Sequence, residues 1–460
     1  SIQTYLPNVK KFDKKVTVRN LMTHTSGYRE FLNLILLTGR KISAGSNIER
    51  HELIEIINRQ PELQNEPGEE WNYNNTAFGL LTMIIENVSG MDFVDYMNER
   101  VFEPLGMINT QFRENQNVII KQRAAGYSID NDGYFEVRDL GGAMGAGAVY
   151  TTTTDMMNWF RNFKTYKVGS EDIFNQMTTP FVLNNGEETG YGFGLIADEY
   201  KGLRQIHHGG ADIAHRSEFT YFPDIDAGVV VFSNYAPFNS SKYADLIADT
   251  YFKEYYKEED ESKETFDFDS SSFSFEDFEV YEGTFELDAV PGFQLKFFQE
   301  DSSYYTQATN QQKIEIEPTG KNQFTLAAVD ARIVFEKDEE TGEFDSLILY
   351  QNGEQKASRV KERPWEPTIE ELDSYAGIYY SEEIETKYYI QIIDTSLSLR
   401  IAQFGDKYDL HSGKKDEFIL SGLPGYNLMF QKNDENKVIS ILVNAGGRSR
   451  DIRFTRQFYE

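Results

Sequence analysis

Three short clusters in the first half of the chain carry residue types that move protons or hold a reacting group. They are Leu21-Met22-Thr23-His24-Thr25-Ser26-Gly27, Tyr73-Asn74-Asn75 and His207-His208-Gly209-Gly210. A phenol has a reference pKa of about 10 and serves as a base only where cations lower it. An imidazole titrates near neutrality, so its charge can tune a rate. Adjacent glycines suit a strand that another backbone must approach closely. Tyr-x-Asn also occurs at Tyr96-Met97-Asn98 and Tyr350-Gln351-Asn352, so composition alone does not single out one copy. Context does. Residues 73–75 fall in a short loop before a helical pattern, where a rigid scaffold can hold side chains over a cleft. Tyr96 lies inside an amphipathic helix and Tyr350 at a strand end, and both read as packing.

Other chemistry is weaker. Ser26 has Arg29, not Lys, three residues on, and His24-Thr25-Ser26-Gly27 reads as structural: a buried, hydrogen-bonded imidazole and a glycine turn. His207, His208 and His215 lack a metal-ligand signature, so no metal is expected. Gly141-Gly142-Ala143-Met144-Gly145-Ala146-Gly147 lacks the Gly-Lys-Ser/Thr ending of a phosphate loop, and no cofactor is expected. There is no cysteine, which excludes disulfides, thiolate metal sites and a cysteine nucleophile. A net charge of −30 opposes nucleic acid or anionic membrane as a main partner. No apolar run approaches the roughly 18–20 residues of a membrane span.

The elements that must position these clusters can be read in outline. Leu81, Ile84, Ile85 and Val88 repeat at helical spacing and predict a helix over 76–88 with those residues buried, ended by Ser89-Gly90. A second helix carries Phe93, Tyr96 and Met97 and is broken at Pro104. A third begins near Thr152, with Thr152-x-x-Asp155 as a loose capping box and Met156, Trp159, Phe160 and Phe163 as its apolar stripe. Residues 215–222 and 228–234 predict an antiparallel hairpin turned at 223–227, its second strand buried on both faces. Such a mixture predicts an α+β architecture.

Composition changes after residue 250. Residues 251–280 hold eleven acidic and three basic residues and include Ser270-Ser271-Ser272-Phe273-Ser274, which reads as a linker. Beyond it helical periodicity fades and a repeat emerges. Tyr281-x-Gly283, Phe324 and Arg359 recur 94 residues later as Tyr375-x-Gly377, Phe418 and Arg453, and Phe335 recurs 95 later as Phe430. Two small antiparallel β-barrels fit this pattern. Their aromatics read mostly as core.

The order and flanks of the motifs resemble the serine β-lactamase-like family, which includes class C β-lactamases, DD-peptidases, D-aminopeptidases and esterases. The resemblance rests on Val16 to Gly27, Trp71 to Thr76, Val101-Phe102-Glu103-Pro104-Leu105-Gly106-Met107, Gly141 to Thr154 and His208-Gly209-Gly210, and covers roughly residues 1–250. It implies an acyl-enzyme route. Tyr73 would relay the proton between nucleophile and leaving group. Asn75 would hydrogen-bond the catalytic Lys and the substrate amide. His208 would bind a substrate carboxylate or assist Tyr73. The Ala211 N–H would form half of the oxyanion hole, and Gly209 and Gly210 would line the substrate. The family's Ser-x-x-Lys lies upstream of the His-Thr-Ser-Gly region, and the 23 residues before His24 contain no such tetrad. Ser358-Arg359-Val360-Lys361 and Ser412-Gly413-Lys414-Lys415 fall in the β-rich half and read as coincidence.

The expected organisation is an α+β β-lactamase/transpeptidase-like domain over 1–255, incomplete at its N-terminus, a linker over 256–274, and lipocalin-like barrels over 275–363 and 364–460. The expected function is hydrolysis of an amide or ester, a D-amino-acid peptide or small ester rather than a β-lactam. These residues alone are expected to form no acyl-enzyme. The resemblance also implies export. The alternative is a non-catalytic ligand-binding or sensor protein on the same fold.

Overall fold

The computed structural model describes residues 1–460 apart from 41–47, 114–116, 131, 138–143, 258–272, 289–292, 301–302, 310–312, 327–330, 339–340, 351–353, 362–364, 403–404, 424 and 459–460. Gly141 to Ala143, the acidic run at 258–261, most of the linker and the Gln351-Asn352 pair thus lie outside the described residues. The chain divides into two compact units: Ser1–Leu36 with Arg40–Glu259, and Leu37–Gly39 with Asp260–Glu460.

The first unit is α+β. The helices that bear on the site and its sheet are α1 (Val18–Met22), α2 (Asn75–Ser89), α3 (Thr153–Thr165) and α4 (Ser240–Phe252). Its antiparallel sheet runs β1 (Ile196–Tyr200), β2 (Leu203–Asp212), β3 (His215–Phe222) and β4 (Ala227–Ser233), in that order. Successive side chains on a strand face opposite ways. Phe219 and Tyr221 of β3 accordingly meet Phe160 and Phe163 of α3, while Phe222 clusters with Ala244 and Ala248 of α4. Burying both faces this way gives the sheet a core on each side.

The hairpin forms as the sequence predicts, with Tyr221 opposite Gly228 and a Pro223–Ile225 turn closed by Asp226 at φ 50°. The expectation that its second strand is buried on both faces fails. Only Val229 of β4 is buried, and Phe232 is 40% exposed, because β4 ends the described sheet order. The strand enclosed on both faces is β3.

Helix α2 starts one residue before the predicted span and ends at Gly90 in the left-handed conformation. Its buried face is rotated from the predicted one. Thr76, Ala77, Gly79, Leu80, Thr82 and Ile84 are inside, while Val88 is 64% exposed. Small residues decide this: a Cβ on Gly79 would lie 2.5 Å from Leu53 Cδ2, so the helix is packed too closely there for periodicity of large residues to report it. Pro104 does not break the second helix. The backbone stays right-handed helical through the wider turn Asn98–Phe102 and past Pro104, and the helix ends at Gly106 with φ 72°. Thr152 caps α3 by accepting from Asp155 N–H, but the Asp155 carboxylate is buried and serves Asn109 N–H and Thr110 Oγ1 at 2.7 and 2.8 Å. The capping box is therefore half made.

The second unit contains two closed eight-stranded antiparallel barrels of up-and-down order. The first runs from Gly283–Leu287 to Glu354–Arg359 and closes with Ser358 opposite Glu286. The second runs from Gly377–Ser381 to Ser449–Gln457 and closes with Tyr379 opposite Arg456. Closure removes sheet edges. Phe285, Phe297, Phe324 and Phe335 fill the first barrel.

Two sequence assignments need correction here. Phe273 and Ser274, read as linker, belong to the first barrel: Phe273 packs 5.7 Å from Phe324, and Ser274 caps Phe275–Phe278. The repeat partner of Arg359 is Arg456, 97 residues later, not Arg453. Arg359 donates to the carbonyls of Val280 and Glu282, and Arg456 to those of Ser374 and Ala376. A Cβ on Gly283 would lie 2.5 Å from Arg359 Nη1, and one on Gly377 would lie 3.0 Å from Arg456 Nε. The glycines make room for the arginines. Among the described residues no single helix is long and apolar enough to cross a membrane.

Candidate active site

The site is built outward from the turn after α1. Thr17 caps α1, accepting from Asn20 N–H. The chain then reverses at His24, whose φ of 55° is uncommon for a non-glycine residue. From this turn, backbone hydrogen bonds tie the 24–27 segment to the loop before α2. Gln64 N–H donates to Gly27 O, Gly68 N–H to Thr25 O and Asn72 N–H to His24 O, at 2.8 to 2.9 Å. A Cβ on Gly27, at φ 78°, would lie 2.3 Å from Asn65 O, so only glycine fits. His24-Thr25-Ser26-Gly27 is thus the frame on which the Tyr73 loop hangs.

Asn74 locks that loop. Its side-chain oxygen accepts from Ala77 N–H at 3.0 Å as the N-cap of α2, and its amide nitrogen donates to Tyr28 O at 2.6 Å. Its backbone N–H donates to His24 Nδ1 at 3.0 Å. Tyr73 is therefore held from the next residue, and its ring lies 4.2 Å from that of His24.

The structure brings Tyr73 and His208 together, with ring centroids 6.0 Å apart. Trp71, Phe78 and Tyr191 complete an aromatic wall around His24. Tyr191 is the residue the sequence did not disclose. It is 2% exposed, and its hydroxyl lies 3.1 Å from His24 Nε2 and 3.0 Å from His208 Nε2. Tyr191-Gly192-Phe193-Gly194 carries aromatic and turn residues only, and no spacing rule marks it.

Adjacent histidines on β2 face opposite ways and meet different surroundings. His207 lies between Asp198 at 3.2 Å and Glu218 at 3.3 Å. Burial lowers its pKa, and the two carboxylates outweigh burial and raise it to about 9. For His208 burial is the largest influence and lowers the pKa; the Gly209 carbonyl and Glu218 act upward, and His207 downward. His215 Nε2 lies 3.1 Å from Ala124 O, so the three histidines do not converge. Among the described residues no cluster suited to a metal occurs.

Gly209, Gly210 and Ala211 are exposed on β2. β1 pairs with β2 only as far as His207, while β3 pairs through Asp212. From His208 to Ala211 the strand therefore has β3 on one side and no described strand on the other. Such an edge can accept an extended backbone. A Cβ on Gly210 would lie 2.3 Å from Ser217 Oγ. Asn75, the first residue of α2, turns its amide nitrogen to Glu30 Oε1 at 3.2 Å and its backbone N–H to Glu30 Oε2. Glu30 is fully buried. The sequence indicated Asn75 without this partner, because a carboxylate 45 positions away leaves no local pattern. Ser358 sits on the last strand of the first barrel and donates to Asp288, and Ser412 ends a strand of the second. Neither heads an apolar helix.

The family model described as Beta-lactamase matches residues 1–251. Penicillin-binding protein 4* of Bacillus subtilis (strain 168) is 26% identical over 379 residues, which are 75% of this chain and 78% of that protein. A D-aminopeptidase of Brucella anthropi is 26% identical over 212 residues, 46% of this chain and 40% of its own length. The chain thus spans less than half of that relative. A solved D-stereospecific amidohydrolase from Streptomyces sp. aligns at 22% identity with a TM-score of 0.48, over 54% of this chain and 77% of the other.

Proposed function

Because this chain belongs to the beta-lactamase family, we propose that the cleft between Tyr73 and His208 is the acid–base side of a serine hydrolase that cleaves an amide or ester through an acyl-enzyme. The convergence of these two side chains beside the stretch of β2 that only β3 flanks among the described residues carries the reading. With the lysine of the Ser-x-x-Lys as the cation that lowers its pKa, Tyr73 as a phenolate takes the proton from the attacking serine hydroxyl as the serine oxygen bonds to the substrate carbonyl carbon. The tetrahedral oxyanion then collapses, the carbon–nitrogen or carbon–oxygen bond breaks, and Tyr73 returns the proton to the leaving group. Water repeats the cycle and frees the acid. The backbone N–H of Ala211 supplies one oxyanion donor, and Gly209 and Gly210 let the substrate backbone lie along the strand. Asn75 presents an amide whose orientation Glu30 sets.

The D-aminopeptidase among the relatives favours a D-amino-acid amide or peptide as substrate. Export of the protein accords with the same resemblance. The serine must come from a Ser-x-x-Lys on a buried helix, and the two such strings in residues 1–460 lie on or beside barrel strands. That observation favours a second reading for these residues by themselves, a ligand-binding cleft without turnover.

The test is hydrolysis of D- and L-amino-acid p-nitroanilides by the protein carrying a Ser-x-x-Lys helix, beside fluorophosphonate labelling of residues 1–460 alone. Expected are turnover of the D-isomer by the former and no covalent adduct on the latter. Tyr73→Phe should reduce kcat/KM about 10²–10⁴-fold. A reduction below tenfold overturns the role of the phenol, and a labelled Ser358 or Ser412 overturns the nucleophile assignment.

A further inference from the structure

We propose that His24 and Tyr191 are positioning residues that hold His208 in one neutral tautomer, with the hydrogen on Nδ1 and Nε2 as acceptor. Heavy-atom positions do not distinguish the tautomers of an imidazole, but a chain of hydrogen bonds with a fixed end does. The fixed end is the backbone N–H of Asn74, a donor only, which points at His24 Nδ1 at 3.0 Å. His24 Nδ1 must then present a lone pair, and the ring hydrogen sits on Nε2. That hydrogen faces the Tyr191 hydroxyl oxygen at 3.1 Å. The Tyr191 hydroxyl, having accepted, donates onward to His208 Nε2 at 3.0 Å. His208 keeps its hydrogen on Nδ1, which faces Gly209 O, an acceptor only, at 2.6 Å. Both ends are backbone groups of fixed polarity, and every intermediate bond has one consistent direction. Reversing any one of them sets two hydrogens or two lone pairs face to face.

The surroundings keep the chain neutral. His24 and Tyr191 are 1% and 2% exposed. Burial raises the Tyr191 pKa, so its hydroxyl retains the hydrogen it donates. Around His208 stand Tyr73 and Tyr191 from the aromatic wall, His207 from its own strand and Glu218 from β3. Glu218 favours a cationic His208, but it is also engaged by His207 at 3.3 Å and by Ser241 Oγ at 2.6 Å. Protonating His208 at Nε2 would turn a hydrogen toward the Tyr191 hydroxyl, which would have to give up its own donation.

The consequence refines the proposed mechanism and rests on it. With Nε2 already occupied, His208 takes no proton from substrate, and Tyr73 is left as the group that does. His24 serves both, since it heads the chain to His208 and its ring lies 4.2 Å from the Tyr73 ring.

The test needs no turnover, so its failure and failure of the hydrolase reading are separable. The 460-residue protein, labelled with ¹⁵N in its six histidines, is examined by imidazole NMR through a pH titration, beside Tyr191→Phe. Expected in the unsubstituted protein are Nε2–H for His24 and Nδ1–H for His208. Tyr191→Phe removes one hydroxyl and keeps the ring, so the fold should persist. It should leave the His208 hydrogen on Nδ1, where the Gly209 carbonyl holds it, shift the Nε2 resonance that loses its donor, and raise the His208 pKa by about one unit, with the His51 and His411 signals as controls. Nε2–H on His208 in the unsubstituted protein overturns the proposal outright. So does a Tyr191→Phe protein whose His208 Nε2 resonance and pKa are unchanged.

Discussion

His207 and His208 are neighbours in sequence with opposite electrostatics, and one pH experiment separates them. His207, raised to about 9, is stabilised as a cation by Asp198 and Glu218. A folded pKa above the unfolded value of about 6.5 gives stability that is full below pH 6.5 and is lost as pH rises through about 9. The shift corresponds to about 2 kcal/mol once the half-exposed Asp198 is discounted for solvent screening. Urea denaturation at pH 6 should therefore show His207→Gln less stable by about that amount, and the difference should shrink toward zero by pH 10. A difference that persists at pH 10 would assign it to packing. His208 lies on the other side of the strand, where burial favours its neutral form. The sequence marks both residues as imidazoles beside paired glycines. It does not reveal that His207 hydrogen-bonds Asp198 and Glu218 while His208 meets the Tyr191 hydroxyl and the Gly209 carbonyl, because Asp198 and Glu218 lie on neighbouring strands.

At the level of elements, the site depends on a turn and a helix cap more than on a helix. Asn74→Ala removes the α2 cap and the bond to Tyr28 O. Loss of the cap should lower stability by about 1–2 kcal/mol, and turnover should fall further than stability explains, because Tyr73 is the adjacent residue. Thermal denaturation and kcat/KM measured together decide this. Gly27→Ala is harsher: it adds a Cβ at 2.3 Å from Asn65 O and strains a positive φ. It should lower Tm more than Asn74→Ala, and equal Tm values would show that the 24–27 turn moves aside. The sequence predicts the start of α2 and the hairpin because caps, glycine and turn residues act locally. It misassigns the buried face of α2 because Ala77, Gly79 and Thr76 let neighbours approach where the larger Ile85 and Val88 do not.

Across the whole molecule, the two barrels repeat one device, an arginine in the last strand that donates to carbonyls flanking the opening Tyr of the same barrel. Arg456→Ala should destabilise the second barrel by about 1–3 kcal/mol, as expected for lost charge-assisted hydrogen bonds. In imidazole NMR on heating, His411, which lies on a strand of that barrel, should lose its native signal at lower temperature. Arg453→Ala, which the 94-residue repeat would have chosen, should have less effect. Equal effects would refute the pairing of Arg359 with Arg456. Repeat arithmetic failed at this position because short insertions in the later hairpins of the second copy shift the register, and an arginine occurs by chance at the unshifted spacing.

The sequence by itself determined the class of each half, the motifs at Tyr73 and His208, and the strand and helix starts that small local interactions enforce. Those features rest on residues within one turn or one hairpin of each other, so their physics is written along the chain. Tertiary structure alone decided that Tyr191 stands between His24 and His208, that Glu30 orients Asn75, and that no described strand flanks the β2 glycines opposite β3. Each joins groups from separate elements, and hydrogen-bond direction depends on distances of about 3 Å that no sequence spacing encodes.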